Sequence, residues 1–520
     1  MYLSWISRPG LPGHFFALAA GAVLPFSYAP YFWWPLGIIS CALFFLSLHT
    51  LNGKQALWRG WWYGLGLYAS GVSWVYISIH VHSHTPAPLA ALFTFIFVAG
   101  LAWFFAFMAF VYRKWFAVGS LNFLTFAALW VGFEWLRSWF LTGFPWLFLG
   151  DAHLNTPLKG LAPIFGVYGI SFVVVLSATA LVTLLHMQRT QPLAKAVWVK
   201  ASVALLSPWV VAALLNTLHW TTPLENGELH VVAVQGNIPQ ERKWLSSEIY
   251  PTLEKYRGAS QEHWHQADVV LWPETAITVL RHQAKEYIQY LGNEARDTNT
   301  TLITGIPYQQ QQNEPYPGAF HNSIIAIGTG SGVYHKQKLV PFGEYLPLPD
   351  QARSLLEFFN IPMSDFRRGE PEQAILQAHK GDIEYGIAPF ICYEVVYPDF
   401  VASMAKQSGL MVTISNDAWF GRSNGPLQHM AMARMRALET GRYLLRATNT
   451  GVTALIDPKG NVVERLPQFE FGALNANAHI MTGSTPFMLW GSWPMVLAVV
   501  GILGFARWRL RQPSVATLAR

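Results

Sequence analysis

The sequence predicts an α/β protein in two parts: a polytopic α-helical membrane domain of about eight spans and, carried on it, a water-soluble α/β sheet sandwich. Three observations predict this. The chain is 52% hydrophobic and only 12% charged, about half the charge share of an average soluble domain, so much of it belongs in lipid. Up to about residue 218 it runs as long apolar stretches broken by short polar ones, each close to the ~20 residues that cross a bilayer. From 219 to about 475 the character changes to shorter apolar runs, most of the acidic residues and many turn signals.

In order, spans near 11–28, 32–50, 60–80, 88–112, 119–140, 162–186 and 196–217 fill the first part, and 486–506 closes the chain ahead of Arg507, Arg509 and Arg511. The expected divisions are a transmembrane domain at 1–218, a soluble domain at 219–480, and a last helix with its basic tail at 481–520. The first span lacks a small-residue cleavage site and further spans follow at once, so it reads as an uncleaved helix. The 23 tryptophans suit a membrane interface. The net charge of +6 is scattered in short clusters between apolar runs, a topology signal rather than a nucleic-acid footprint. Arg8, Lys54 with Arg59, Arg113 with Lys114, Arg189 with Lys195 and Lys200, and the C-terminal arginines fall on one side of eight spans, against Arg137 and Lys159 on the other. By the positive-inside tendency both termini are cytoplasmic and the large domain lies outside the cytoplasm.

In the soluble part, β-branched runs at Leu229–Val234, Val269–Trp272, Thr301–Thr304, Ser323–Ile327, Ile383–Ile391, Leu410–Ile414 and Thr453–Ile456 read as strands. Ser246–Gln266, Ala284–Asp297 and Gln428–Gly441 read as helices between them, and Asp457-Pro458-Lys459-Gly460-Asn461 as a hairpin turn. Alternation of this kind puts sites at strand ends.

Phe390-Ile391-Cys392-Tyr393-Glu394 is the stretch that carries chemistry. An apolar strand ends on a thiol and polar residues follow at once, which is how a buried strand delivers a nucleophile to a pocket. The other cysteine, Cys41, lies in an apolar stretch, so no disulfide framework is expected and the Cys392 thiol is free. A free cysteine is also, more commonly, a small buried hydrophobe. Glu274 ends Val269-Val270-Leu271-Trp272-Pro273; beside an indole and a proline its carboxylate is poorly hydrated, which would raise its pKa toward that of a general base. The alternative is an exposed strand-end glutamate. Lys336, between Val333-Tyr334-His335 and Leu339-Val340-Pro341, would donate to a developing oxyanion, or is simply a surface lysine. Together the three supply a nucleophile, a base and an oxyanion donor.

Leu271-Trp272-Pro273-Glu274, Tyr334-His335-Lys336-Gln337-Lys338-Leu339 and Ile391-Cys392-Tyr393-Glu394 resemble the three catalytic blocks of the nitrilase superfamily, in that order. Val340-Pro341-Phe342-Gly343-Glu344-Tyr345-Leu346-Pro347, Ser415-Asn416-Asp417-Ala418-Trp419-Phe420-Gly421 and Arg446-Ala447-Thr448-Asn449-Thr450-Gly451 narrow the resemblance to its membrane-bound branch, the apolipoprotein N-acyltransferase family. The resemblance implies a four-layer αββα nitrilase-like domain facing the periplasm of a bacterial inner membrane. It implies transfer of an acyl chain from a phospholipid, typically phosphatidylethanolamine, to the α-amino group of a lipoprotein's diacylglyceryl-modified N-terminal cysteine. Carried over residue by residue, Cys392 attacks the ester to give a thioester, Glu274 takes the thiol proton and later the amine's, and Lys336 with the backbone N–H of Tyr393 holds the oxyanion. Trp244, Glu344, Tyr393 and Glu394 match positions with supporting roles. No cofactor or metal is implied.

The chemistry agrees with this layout. Moving a long acyl chain through water would expose ~0.8 kcal/mol per CH₂, so donor and acceptor should both stay in lipid. Two substrates using one site in turn is what a covalent intermediate permits. The ester is already activated, and the sequence holds no phosphate-binding glycine loop. Elsewhere, His80, His82 and His84 alternate in a short loop that reads as polar and interfacial rather than as a metal site. Glu134 and Arg137 share one helix face, as an ion pair or as a functional pair. Glu439 with Arg442 and Arg446 would form an internal ion-pair network, Asn416 and Asp417 would shape the pocket, and Met430, Met432 and Met435 would form a packing face. Two rival functions stay open. A membrane-tethered amidase or nitrile hydrolase needs a pocket open to water, whereas Phe342, Tyr345, Leu346, Trp419 and Phe420 favour lipid; a transporter or receptor leaves the three blocks unexplained.

Overall fold

A computed structural model of the chain describes residues 6–117, 119–190, 192–341, 343–345 and 366–512. Phe342, Leu346 and Pro347 therefore lie outside the described residues. The chain divides into two compact units, one holding the residues up to Tyr76, Pro88–Leu218 and the chain from Trp490 on, the other Ile77–Ala87 with His219–Leu489.

The first unit is helical. Its principal helices are Leu11–Val23, Pro35–Ser47, Gly53–Gly71, Ala87–Val111, Asn122–Arg137, Ala162–Thr190, Lys195–Leu215 and Trp493–Arg511. Among the described residues, four helical stretches, Ala87–Phe116, Pro157–Thr190, Lys195–Leu215 and Trp493–Arg511, are long and apolar enough to cross a membrane. The span expected at 60–80 is instead the helix Gly53–Gly71, because Asn52 and Gln55 form a reciprocal capping box that starts it earlier than hydropathy alone indicates. That shift moves Arg59 inside the helix. It is not a loop charge: its buried guanidinium donates to the carbonyls of Ile6 at 2.6 Å, Ser47 at 2.9 Å and Arg8 at 2.8 Å. Glu134 and Arg137 do share a helix, but each turns to other partners. Glu134 Oε1 accepts from Trp130 Nε1 at 3.0 Å and from the Leu149 N–H at 2.8 Å, and Arg137 donates to the Phe144 and Trp146 carbonyls. Both explain how charge is tolerated in an apolar bundle: every polar head is hydrogen-bonded to backbone or side chain.

The second unit holds two six-stranded sheets. The strands are β1 Thr221–Gln235, β2 Val269–Leu271, β3 Thr301–Gln309, β4 Phe320–Gly328, β5 Val333–His335, β6 Leu376–Lys380, β7 Ile383–Ile391, β8 Leu410–Ser415, β9 Leu444–Thr448, β10 Ala454–Ile456, β11 Val462–Arg465 and β12 Gly472–Gly483. One sheet runs β12-β1-β2-β3-β4-β5, the other β11-β10-β9-β8-β7-β6. At the heart of each, three strands are parallel, β1-β2-β3 and β7-β8-β9, so their carboxyl ends open together.

Side chains alternate across each strand. Val231, Leu271, Ile303 and Ile324 of the first sheet meet Ile387, Ile391, Val412 and Ile414 of the second in one buried cluster. The opposite faces, through Val232, Val270, Leu302 and Ile325, bury Tyr256, Leu291 and Ala295 of the helices Ile249–Gln261 and Lys285–Asp297. Pro398–Ala405 and Gly425–Thr440 cover the second sheet, which completes an αββα sandwich. Each large aliphatic side chain buried this way contributes roughly 1.5–3 kcal/mol. Met430, Met432 and Met435 are buried on Gly425–Thr440. The expected ion-pair network is rearranged: Glu439 pairs with Arg436 at 2.8 Å, one helical turn away, while Arg442 donates to the Ser408 and Gly483 carbonyls. The hairpin turn is formed, with Gly460 N–H on the Asp457 carbonyl at 3.0 Å.

Gly305 on β3 shows how tightly the core fixes the loop after β2. A Cβ there would lie 2.5 Å from the Thr275 nitrogen and 2.8 Å from both the Pro273 carbonyl oxygen and Ile414 Cδ1. Gly305→Ala should therefore destabilise this unit by about 1–3 kcal/mol, read as a lowered thermal midpoint. An unchanged midpoint would mean the loop gives way freely.

Candidate active site

The residues named from sequence meet at the carboxyl ends of the strands. Glu274 follows β2, Lys336 directly follows β5, and Cys392 directly follows β7. Cys392 opens the short 3-10 helix Cys392–Val396 with φ +52°, a left-handed conformation that costs a non-glycine residue roughly 1 kcal/mol or more. Glu394 holds that turn. Its Oε2 accepts the Ile391 N–H at 2.8 Å, and its Oε1 accepts the Tyr334 hydroxyl at 2.8 Å and the N–H groups of Gln337 at 2.6 Å and Lys338 at 3.1 Å. One fully buried carboxylate thus ties the cysteine turn to the segment that carries Lys336.

Glu274 is 8% exposed. Its Oε1 accepts from Asn322 Nδ2 at 2.8 Å and its Oε2 from the Asn416 N–H, beyond β8, at 2.8 Å. Lys336 Nζ, 1% exposed, donates to Glu344 Oε1 at 2.8 Å and stands 3.7 Å from Glu274 Oε1. Asn322 Nδ2 also reaches Glu344 Oε1 at 3.0 Å, so a single amide bridges the two carboxylates. Burial works against the Lys336 charge, but Glu344, Glu274 and Cys392 outweigh it and hold the ammonium protonated. Burial first, and then the Glu274 charge, push the Cys392 thiol up to about 12, against the pull of Lys336. At neutral pH the thiol keeps its proton and needs a base to become a nucleophile. A carboxylate with two N–H donors can take that proton, and a charged lysine can face an oxyanion.

Of the supporting positions, Glu344 and Glu394 belong to this hydrogen-bonded set. Tyr393 is buried with its ring edge-on to Tyr397 at 5.3 Å. Trp244 stands apart, 40% exposed on the loop after β1. Its neighbour Lys243 does enter the site, buried and donating to the Glu274 carbonyl at 2.9 Å, and burial lowers it to about 8. The run Gln240-Glu241-Arg242-Lys243 reads as a solvated loop, so sequence reasoning passed over it; Asn322, inside β4, carries no signal either. The histidine loop belongs to this same unit, with His80 Nδ1 2.8 Å from the Thr85 carbonyl and the His82 ring edge-on to Trp419.

This sandwich and its strand-end site define a class: residues 230–487 match the carbon-nitrogen hydrolase family, and residues 20–180 match the family described as apolipoprotein N-acyltransferase N-terminal domain. Relatives named apolipoprotein N-acyltransferase align along nearly the whole chain. The Azotobacter vinelandii protein is 46% identical over 99% of this chain and 98% of its own length. One from Pseudomonas aeruginosa is 48% identical over 96% of each, and one from Coxiella burnetii 38% over 93% and 97%. The chain belongs to the apolipoprotein N-acyltransferase family, membrane-bound acyltransferase enzymes with a nitrilase-like domain.

Two substitutions test the electrostatics. Because the Glu274 carboxylate raises the thiol, Glu274→Gln should let Cys392 ionise at lower pH while turnover falls; the pH midpoint for alkylation by neutral iodoacetamide reads this, and an unmoved midpoint would mean the carboxylate does not face the thiol. Burial holds the Glu394 carboxyl at about 7, against its N–H donors. As pH drops through that value the carboxyl gains a proton where every neighbour donates, so turnover should fall on the acid side. Glu394→Gln, which places an N–H₂ among those donors, should cost about 100-fold at any pH. Full activity in that variant would sink the tethering role.

Proposed function

We propose that Cys392, Glu274 and Lys336 form the catalytic triad of an N-acyltransferase that moves an acyl chain from a phospholipid to the α-amino group of a lipoprotein's diacylglyceryl-cysteine, the last step of lipoprotein maturation. The observation that carries this is a half-buried thiol at the end of β7, electrostatically coupled to a hydrogen-bonded carboxylate and a charged lysine, in a chain of this family. Glu274 takes the thiol proton as sulfur attacks the ester carbonyl. The Lys336 ammonium and the Tyr393 N–H hold the oxyanion. Collapse breaks the ester C–O bond, and the departing alkoxide of the lysophospholipid takes the proton from Glu274, leaving a thioester on Cys392. The acceptor amine then attacks the thioester, Glu274 receives the amine proton, and collapse forms the amide and returns the proton to the thiol. The two half-reactions share one site, so the kinetics are ping-pong.

Glu344 orients Lys336, Glu394 and Tyr393 set the cysteine turn, and Trp244 plays a supporting part from the exposed loop after β1. Phosphatidylethanolamine is the donor this reading favours. The charge pattern supports residues 1–218 and 481–520 as the membrane part with both termini cytoplasmic, and 219–480 as a periplasmic catalytic domain of a bacterial inner membrane.

The test is to incubate the purified full chain with a labelled phospholipid and no acceptor, and to follow its intact mass. An acyl adduct should form, be released by neutral hydroxylamine, and be absent from Cys392→Ser and Cys392→Ala. No adduct from any phospholipid, with turnover of a small amide instead, would favour the amidase.

A further inference from the structure

Behind the thiol lies a second polar cluster that these steps do not use. Asp417 opens the turn Asp417–Phe420 and is buried. Its Oδ2 accepts from Arg446 Nη2 at 2.6 Å, and its Oδ1 accepts from Ser415 Oγ at 2.6 Å and stands 3.1 Å from His429 Nδ1. His429, on the helix Gly425–Thr440, places Nε2 3.1 Å from the carbonyl oxygen of Cys392 itself. The cluster therefore reaches the backbone of the residue that carries the thiol.

Proton bookkeeping fixes the directions. A carbonyl oxygen only accepts, so His429 carries its proton on Nε2 and donates it to Cys392. Nδ1 is then free to accept from Arg446 Nη2, 3.1 Å away. Burial, followed by the Arg446 charge, lowers His429 and keeps the ring neutral, as this pattern requires. Burial also opposes the Asp417 charge, but Arg446 outweighs it and holds the carboxyl well below the usual carboxylate range. Ser415 donates its one proton to Asp417. The peptide between Cys392 and Tyr393 is planar, so clamping its carbonyl oxygen also aims the Tyr393 N–H on the opposite edge.

We infer that His429, its Nδ1 held by an Arg446 that Asp417 neutralises, is a positioning residue that clamps the Cys392 carbonyl and so aims the Tyr393 N–H of the same peptide. The inference rests on Cys392 being the nucleophile.

Asp417→Asn would leave Arg446 buried without its counter-charge, so the test falls on His429. The experiment compares wild type, His429→Leu, His429→Gln and Cys392→Ser as full-length protein. It measures single-turnover acyl-enzyme formation from phosphatidylethanolamine, alkylation by neutral iodoacetamide, and the thermal midpoint. His429→Leu should slow acylation about 100-fold yet leave alkylation, which needs no oxyanion donor, within about threefold. His429→Gln, whose Nε2–H₂ can still reach the carbonyl, should recover to within about tenfold. If His429→Gln is as slow as His429→Leu, or if acylation merely tracks the thermal midpoint, the positioning role is overturned. Should His429→Leu not fold, a fully impaired but folded His429→Gln overturns it equally. An adduct on Cys392→Ser removes the catalytic reading instead, which separates the two failures.

Discussion

The carboxylate of Glu394 is the constraint on which the site depends. It joins no charge to another; it gathers three backbone N–H groups and one tyrosine hydroxyl from the two segments carrying the thiol and the lysine. Without it, the left-handed turn at Cys392 would have no local reason to persist, and Lys336 would have no fixed relation to that turn. Two sheets packed through aliphatic side chains can slide by fractions of an ångström at little cost, whereas four directional bonds to one buried group cannot. The sandwich brings the strand ends near one another, and Glu394 converts nearness into geometry.

Charge in the pocket is arranged in the same economical way. Glu274 and Glu344 face Lys336, Asn322 spans the two carboxylates, and Lys243 adds a second amine beneath the Glu274 backbone. Charge is therefore nearly balanced within the cluster, which is far less costly to bury in a poorly solvated space than an isolated ion. A neutral cluster also explains why so many ionisable side chains can be buried together in one small volume.

Much of this was legible in the amino-acid order, for identifiable reasons. The strand β7 was read with the bounds it has, and β2 and β8 to within a residue, because the buried part of each, such as Ile387–Ile391 in β7, is a predominantly apolar run. Where a strand is polar on one face or carries a buried charge the signal fails: β12 interleaves Asn475, Asn477 and His479 with its apolar residues, and Arg446 interrupts β9. Glu274, Lys336 and Cys392 stood out because each ends an apolar run. Lys243 did not, since its partner is a backbone carbonyl 31 positions away and its neighbours are those of a surface loop. Arg59 and Glu439 failed for the opposite reason: charge alone made Arg59 read as a loop residue, which the earlier helix start places inside, and spacing gave Glu439 the partners Arg442 and Arg446 where it takes Arg436.

The high resting pKa of the Cys392 thiol has a bearing on survival as well as on rate. A thiol held that high stays almost wholly protonated at neutral pH, and disulfide exchange and peroxide oxidation both proceed through the thiolate. A reactive cysteine is ordinarily prey to mixed disulfides and to overoxidation. Here the same desolvation that keeps the proton on sulfur acts as chemical armour.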